Sequence, residues 1–176
     1  LFTVGLFTVL LYQLNLYTGK VGYLVDEKPG YLLTVFLIFL GNFVGAAGYG
    51  TVLGALRPSL REKALVLCEA KLAQSALCVF VLALLCGVLM YIACNAYRDR
   101  EGLFRALPTL VCIPTFILSG FHHSIADLVY LGLAFGAHLF TAKVLLYVLI
   151  VALGNLAGAN LFNLASRCAK SAASKK

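Results

Sequence analysis

Charged and uncharged positions divide this chain into long blocks. Residues 1–19, 29–56, 72–97, 106–126, 128–142 and 144–166 carry no Asp, Glu, Lys or Arg. Four of the six runs reach 21 residues or more, and a helix rising about 1.5 Å per residue needs about 20 to cross a bilayer's hydrocarbon layer. The runs predict spans at 30–56, 65–97, 105–137 and 141–166, preceded by an element at 1–15 that reads as the tail of a helix. Only 15 residues separate Asp127 from Lys143, too few for a separate span, so they read with 106–126 as one interrupted element.

Turn chemistry fills the gaps. "LNLYTGK" (14–20) brings Asn15, Thr18 and Gly19 together before a weakly apolar Val21–Val25. Asp26, Glu27, Lys28, Pro29 and Gly30 make a surface turn with Pro29 placed to start a helix. "RPSLREK" (57–63) reads as a surface loop, and the following span is long, with Glu69 and Lys71 near its start. Within 30–56, Gly41, Gly45, Ala46, Gly48 and Gly54 predict a face on which another backbone can approach closely. Pro108, Pro114, Ser119 and Gly120 precede the two histidines of "GFHHSIADL" (120–128); such breakers are tolerated at membrane depth where freed backbone groups face protein or an aqueous cavity.

Composition names the solvent. Of 176 residues, 62% are hydrophobic and 12% charged, more apolar side chain than a soluble core of this size can hide. An all-α, polytopic protein of the lipid bilayer follows. The absence of a basic opening and the equally apolar later segments argue against a signal peptide. The chain opens without Met inside an apolar run, so residue 1 is expected to lie within a span whose beginning, with a first helix, is absent from it.

The net charge of +7 changes the picture only through its placement. Lys20, Lys28, Arg98, Arg100, Arg105, Arg167, Lys170, Lys175 and Lys176 fall on one side of the predicted spans, against Arg57, Arg61, Lys63 and Lys143 on the other. That bias puts the first set and the C terminus in the cytoplasm, in a multi-pass protein of the inner (plasma) membrane. No concentrated basic face suggests nucleic acid as a partner. Cys68, Cys78, Cys86, Cys94, Cys112 and Cys168 form no Cys-x-x-Cys pair and read as small apolar residues.

An internal echo organises the chain. "GNFVG" (41–45) returns as "GNLAG" (154–158), each after a polar interruption. This predicts duplicated halves with broken helices, the sequence pointer to a substrate site near the membrane midplane. Residues 1–56 then read as the end of a first inverted repeat and 64–166 as the second, in one domain over 1–176.

His123 is the leading candidate for chemistry, because a titrating imidazole in lipid needs a cavity or a partner. It either handles a weak-acid anion at a constriction or bonds a helix carbonyl in a packed bundle. Two arrangements of its neighbours are open. Asp127, four residues on, orients the ring; or Ser124 and Asp127 cap a second half-helix while His122 turns toward a neighbouring helix or water. Thr18 offers a hydroxyl beside Gly19, and Lys71 either snorkels to the interface or draws anions inward. Asn42 and Asn155 are expected to clamp the broken segments by hydrogen bonding to loop backbone. No third ligand near His122 and His123 suggests a metal, and no nucleophile–base pair suggests an enzyme.

"LYTG" at 16–19, "GNFVG" at 41–45, Lys71 ahead of Cys86, "GFHHSIADL" at 120–128 and "GNLAG" at 154–158 together resemble the formate/nitrite transporter family. The resemblance implies a homopentamer of six-helix protomers with an aquaporin-like fold, broken second and fifth helices, and a pore for small monovalent anions in each protomer. It needs no cofactor. Formate or nitrite is the implied substrate, with hydrosulfide, acetate or lactate as the alternative, and protons take part near the histidine. By resemblance, His123 is the central histidine, Thr18 the threonine of the first loop and Lys71 the lysine of the fourth helix. Phe2 and Leu6 then form a cytoplasmic constriction, and Leu16, Tyr17 and Phe116 a periplasmic one. The chain departs from the family pattern at His122 (usually Glu), Asp127 (usually Asn), Leu128 (usually Met), Gly87 (usually Asn) and Tyr17 (usually Phe). The changes at 122 and 127 predict a normal fold with an altered pH response.

Overall fold

The computed structural model describes residues 2–173, where every regular element is a helix; the predicted basic residues Lys175 and Lys176 lie outside that range. The helices are α1 (Phe2–Leu11), α2 (Tyr17–Lys20), α3 (Tyr31–Leu56), α4 (Pro58–Leu72), α5 (Ala76–Asp99), α6 (Leu103–Leu118), α7 (Ser124–Phe135) and α8 (Ala142–Ala173). Short 3-10 turns follow α2 and α7. Helices α3, α5 and α8 are long and apolar enough to cross a membrane, and α1, α6 and α7 are shorter apolar helices. The chain is a multi-pass membrane protein.

The long span predicted at 65–97 divides in two. Pro58 sits in the first turn of α4, where its missing N–H costs nothing, so "RPSLREK" opens a helix rather than a loop. A turn at 73–75 then ends α4, and Ser75 caps α5 by accepting the Cys78 N–H at 3.3 Å. Lys71 therefore stands in the last turn of α4 rather than inside the next span.

Both interruptions are built alike. At the end of α6, Gly120 adopts φ 70°, its N–H bonds the Ile117 carbonyl at 3.2 Å and the Phe121 N–H bonds Phe116 at 3.0 Å. At the end of α1, Gln13 adopts φ 54°, its N–H bonds Leu10 at 3.4 Å and the Leu14 N–H bonds Val9 at 2.8 Å. This is the same left-handed helix stop twice. Pro108 and Pro114 lie within α6 without ending it; the break comes from Gly120.

Helix α8 packs chiefly on α5, and α3 on α7. The first contact is backbone to backbone, because a Cβ at Gly87 would run into the Asn155 carbonyl and one at Gly158 into that of Leu84. On α3, Gly50 and Gly54 meet Val129 and Leu133 in the same way, whereas Gly41, Gly45 and Gly48 face open space. The predicted close-approach face is thus divided between two sides of the helix.

Candidate functional site

The two helix stops lead into residues 15–17 and 122–124, of which Tyr17, His122, His123 and Ser124 are buried, and one asparagine grips each segment. Asn42 Oδ1 accepts the Tyr17 N–H at 2.8 Å and its Nδ2 donates to the Asn15 carbonyl at 3.0 Å. Asn155 Oδ1 accepts the Ser124 N–H at 2.9 Å and its Nδ2 donates to the carbonyls of His122 at 2.9 Å and Ala83 at 2.8 Å. The Asn155 amide is buried, and both asparagines hold loop backbone that has no helical partner. Each clamp leaves one residue standing between its two anchor points, Leu16 in the first loop and His123 in the second.

His123 is buried at 1% exposure and lies 2.9 Å from Thr18 Oγ1 through Nε2. Its Nδ1 accepts the Ala126 N–H at 3.1 Å, so the histidine itself caps α7. Ser124 does not; its hydroxyl is buried with no hydrogen-bond partner among the described residues. Because a backbone amide only donates, the neutral ring keeps its hydrogen on Nε2 and donates it to Thr18.

Two phenyl rings enclose the imidazole. Phe116 stacks on it with centroids 5.5 Å apart, and Phe2 meets it edge-on at 5.0 Å. Phe2 and Phe116, expected at two separate constrictions, also meet each other edge to face with centroids 5.4 Å apart. Leu6 is buried in the same cluster and Leu16 packs against it. Tyr17 turns away: its hydroxyl donates to the Ala152 carbonyl at 3.0 Å and its ring packs on Phe39. The phenol faces α3 and α8 rather than His123 or the Phe2–Phe116 pair.

Beyond Leu16 a cavity of about 530 Å³ opens, lined by Leu16, Gly19, Lys20, Tyr23, Arg98 and Arg105. Arg98 lies over the Tyr23 ring at 4.8 Å and Arg105 over Tyr97 at 4.1 Å, contacts that hold the guanidinium groups at the cavity wall.

A second polar cluster lies on the other side. Asp127 does not orient His123; its carboxylate joins Lys71, with Nζ–Oδ1 at 3.1 Å, and Tyr147, whose hydroxyl donates to Oδ2 at 2.7 Å. His122 completes the group, with Nδ1 2.8 Å from Lys71 Nζ and 3.0 Å from Tyr147 Oη, and Nε2 2.9 Å from Gln74 Oε1. Lys71 is thus neither snorkelled nor loose. Sequence reasoning missed Tyr147 and Gln74, since a tyrosine inside an apolar run and a glutamine beside a helix start carry no mark of their partners. The six cysteines are free, with Cys78 and Cys168 exposed and the others buried. Among the described residues no group of His, Cys, Asp and Glu has the makeup of a metal site.

A solved structure described as an FNT family ion channel shares this fold, with a TM-score of 0.80 over 92% of this chain and 71% of that chain at 24% identity. No curated protein sequence matches. The family model of the formate/nitrite transporters matches residues 1–168. The chain therefore belongs to the formate/nitrite transporter family, a family of membrane transport proteins rather than enzymes.

Proposed function

We propose that this protein conducts small monovalent anions across the membrane, formate or nitrite foremost, past His123 in a pH-dependent and proton-linked manner. One observation carries the reading: a buried hydrogen bond between Thr18 and His123 where two interrupted elements meet, enclosed by Phe2 and Phe116. An anion entering so apolar a throat must shed water at a large cost. A neutral weak acid pays far less, and an imidazole N–H beside a hydroxyl offers hydrogen bonds at the narrowest place. Lys20, Arg98 and Arg105 around the cavity raise the local anion concentration before the throat.

The finer architecture belongs to the same proposal. Matched helix stops and matched asparagine clamps support two inverted three-helix repeats, with 1–56 ending the first and 64–166 forming the second. In the second, Gly154 and Gly158 of α8 seat α5. Their counterparts Gly41 and Gly45 on α3 face open space, which supports a first helix, outside residues 1–176, seated there in a six-helix protomer. The protomers assemble as a homopentamer in the inner membrane, with the Arg98–Arg105 end and the C terminus cytoplasmic. Hydrosulfide and short monocarboxylates such as acetate and lactate are the competing substrates.

The test is flux through the complete protein in proteoliposomes, comparing formate, nitrite, hydrosulfide and lactate at acid and neutral pH. Formate and nitrite should cross faster than lactate and faster at acid pH. Flux equal to that of empty vesicles for every anion would overturn the reading.

A further inference from the structure

The two adjacent histidines differ in what a proton would disrupt. On His123, Nδ1 accepts the Ala126 N–H, and a second proton would have to land there. It would face an N–H that can only donate, and α7 would lose its cap. His122 is arranged the opposite way. Gln74 Oε1 accepts from Nε2 at 2.9 Å, so that nitrogen carries a hydrogen in either charge state. Nδ1 of the neutral ring accepts from the Lys71 ammonium at 2.8 Å. Asp127 Oδ2 at 3.4 Å and Tyr147 Oη at 3.0 Å stand ready to accept from Nδ1 if it gains a hydrogen. Tyr147 commits its own hydrogen to Asp127, which leaves its oxygen free to accept.

The charges favour the same ring. Lys71 and Asp127 balance, so the cluster is neutral while His122 is neutral, and an added proton leaves it at one positive charge. The titratable groups around it are Lys71 and Cys68 from α4, Cys86 from α5, Asp127 and Tyr130 from α7 and Tyr147 from α8; α1 carries no titratable side chain. Asp127 is the carboxylate bonded into the cluster, and Glu69 of α4 lies within electrostatic reach of Cys68. Asp127 lies against His122 rather than His123.

We propose that His122, and not His123, takes up the proton that makes passage pH dependent, turning a neutral cluster beside the throat into a cationic one that attracts the anion. This rests on the channel reading above and deepens it. The proton, arriving from water, adds to the Nδ1 lone pair. The Lys71 Nζ–H···Nδ1 bond breaks, an Nδ1–H bond to Asp127 Oδ2 forms, and Lys71 keeps Asp127 Oδ1. Two cations then share one carboxylate, and the surplus charge lies one residue from His123, which stays neutral and offers its Nε2–H.

The experiment is ¹⁵N NMR of the complete protein in lipid with labelled histidine, titrated from about pH 8 to about pH 5, with signals assigned by His122→Asn and His123→Asn. His122 should change from an Nε2–H neutral ring to imidazolium, while His123 remains a neutral Nε2–H ring throughout. A titrating His123 beside an unchanging His122, or no titration of either, would overturn the proposal. Formate flux supplies the functional arm. One added unit charge a few ångström from the anion should raise flux about tenfold on acidification, and His122→Asn should lose that rise. Full acid stimulation in His122→Asn would overturn the proposal. Wild-type protein without flux at any pH would overturn the channel reading instead, and the NMR titration would still decide which histidine takes the proton.

Discussion

Asn42 and Asn155 grip the two interrupted elements by the same pair of bonds, each accepting one loop N–H and donating to the carbonyl two residues before it. The match extends into the preceding turns, where Gln13 and Gly120 both take a left-handed conformation. Leu16 and His123 are consequently counterparts, one apolar and one polar, presented toward the same place. Thr18 supplies the first loop's polar contribution from two residues further on, in α2.

These clamps differ in depth, so their loss should differ in cost. Asn155 is fully buried and serves three backbone groups, while Asn42 is half-buried and serves two. Each stranded buried group costs about 1–3 kcal/mol. Asn155→Ala should therefore lower the thermal midpoint of the purified protein more than Asn42→Ala does. Equal midpoints in the two variants would contradict the role of burial.

Removing one member of the ion pair should be worse than removing both. Lys71 is 12% exposed in its side chain and Asp127 4%, so Lys71→Met strands a buried carboxylate, at about 3–5 kcal/mol. Asp127→Leu added to Lys71→Met should recover much of the loss, read as a partial return of the thermal midpoint. A double variant less stable than Lys71→Met alone would show that the pair is not the relevant unit.

Much of this was legible in the sequence, for identifiable reasons. Uncharged runs marked α3, α5 and α8 because lipid tolerates few charges, and the Gly-Asn-x-x-Gly echo marked the clamps because an asparagine facing lipid is costly. The division at 73–75 was hidden, since Leu65, Val66 and Leu67 of α4 continue the apolar character of α5. Ser75 as a cap, and the charges Arg61, Glu62, Lys63, Glu69 and Lys71 along α4, were the signals available. The company of Phe2 and Phe116 was not legible, because distance along a chain says nothing about which side of a ring two residues share. Asp127 facing His122 rather than His123 followed from a capping histidine, a geometry that helical spacing alone does not reveal.

The phenyl pair should set the size limit. Phe2 and Phe116 touch each other and the His123 ring, so Phe2→Ala opens the throat beside the imidazole. Lactate flux should rise relative to formate flux in proteoliposomes of that variant. An unchanged ratio would place the size filter elsewhere.

The most direct measurement is formate flux through the complete protein carrying Thr18→Val, His123→Asn and the two together. Asparagine can still cap α7, so His123→Asn removes the imidazole with the helix start kept. Each single variant should lose at least about tenfold, equivalent to about 1.4 kcal/mol of barrier, and the double variant should fall little further, because both remove one shared hydrogen bond. Wild-type flux through His123→Asn would contradict the account.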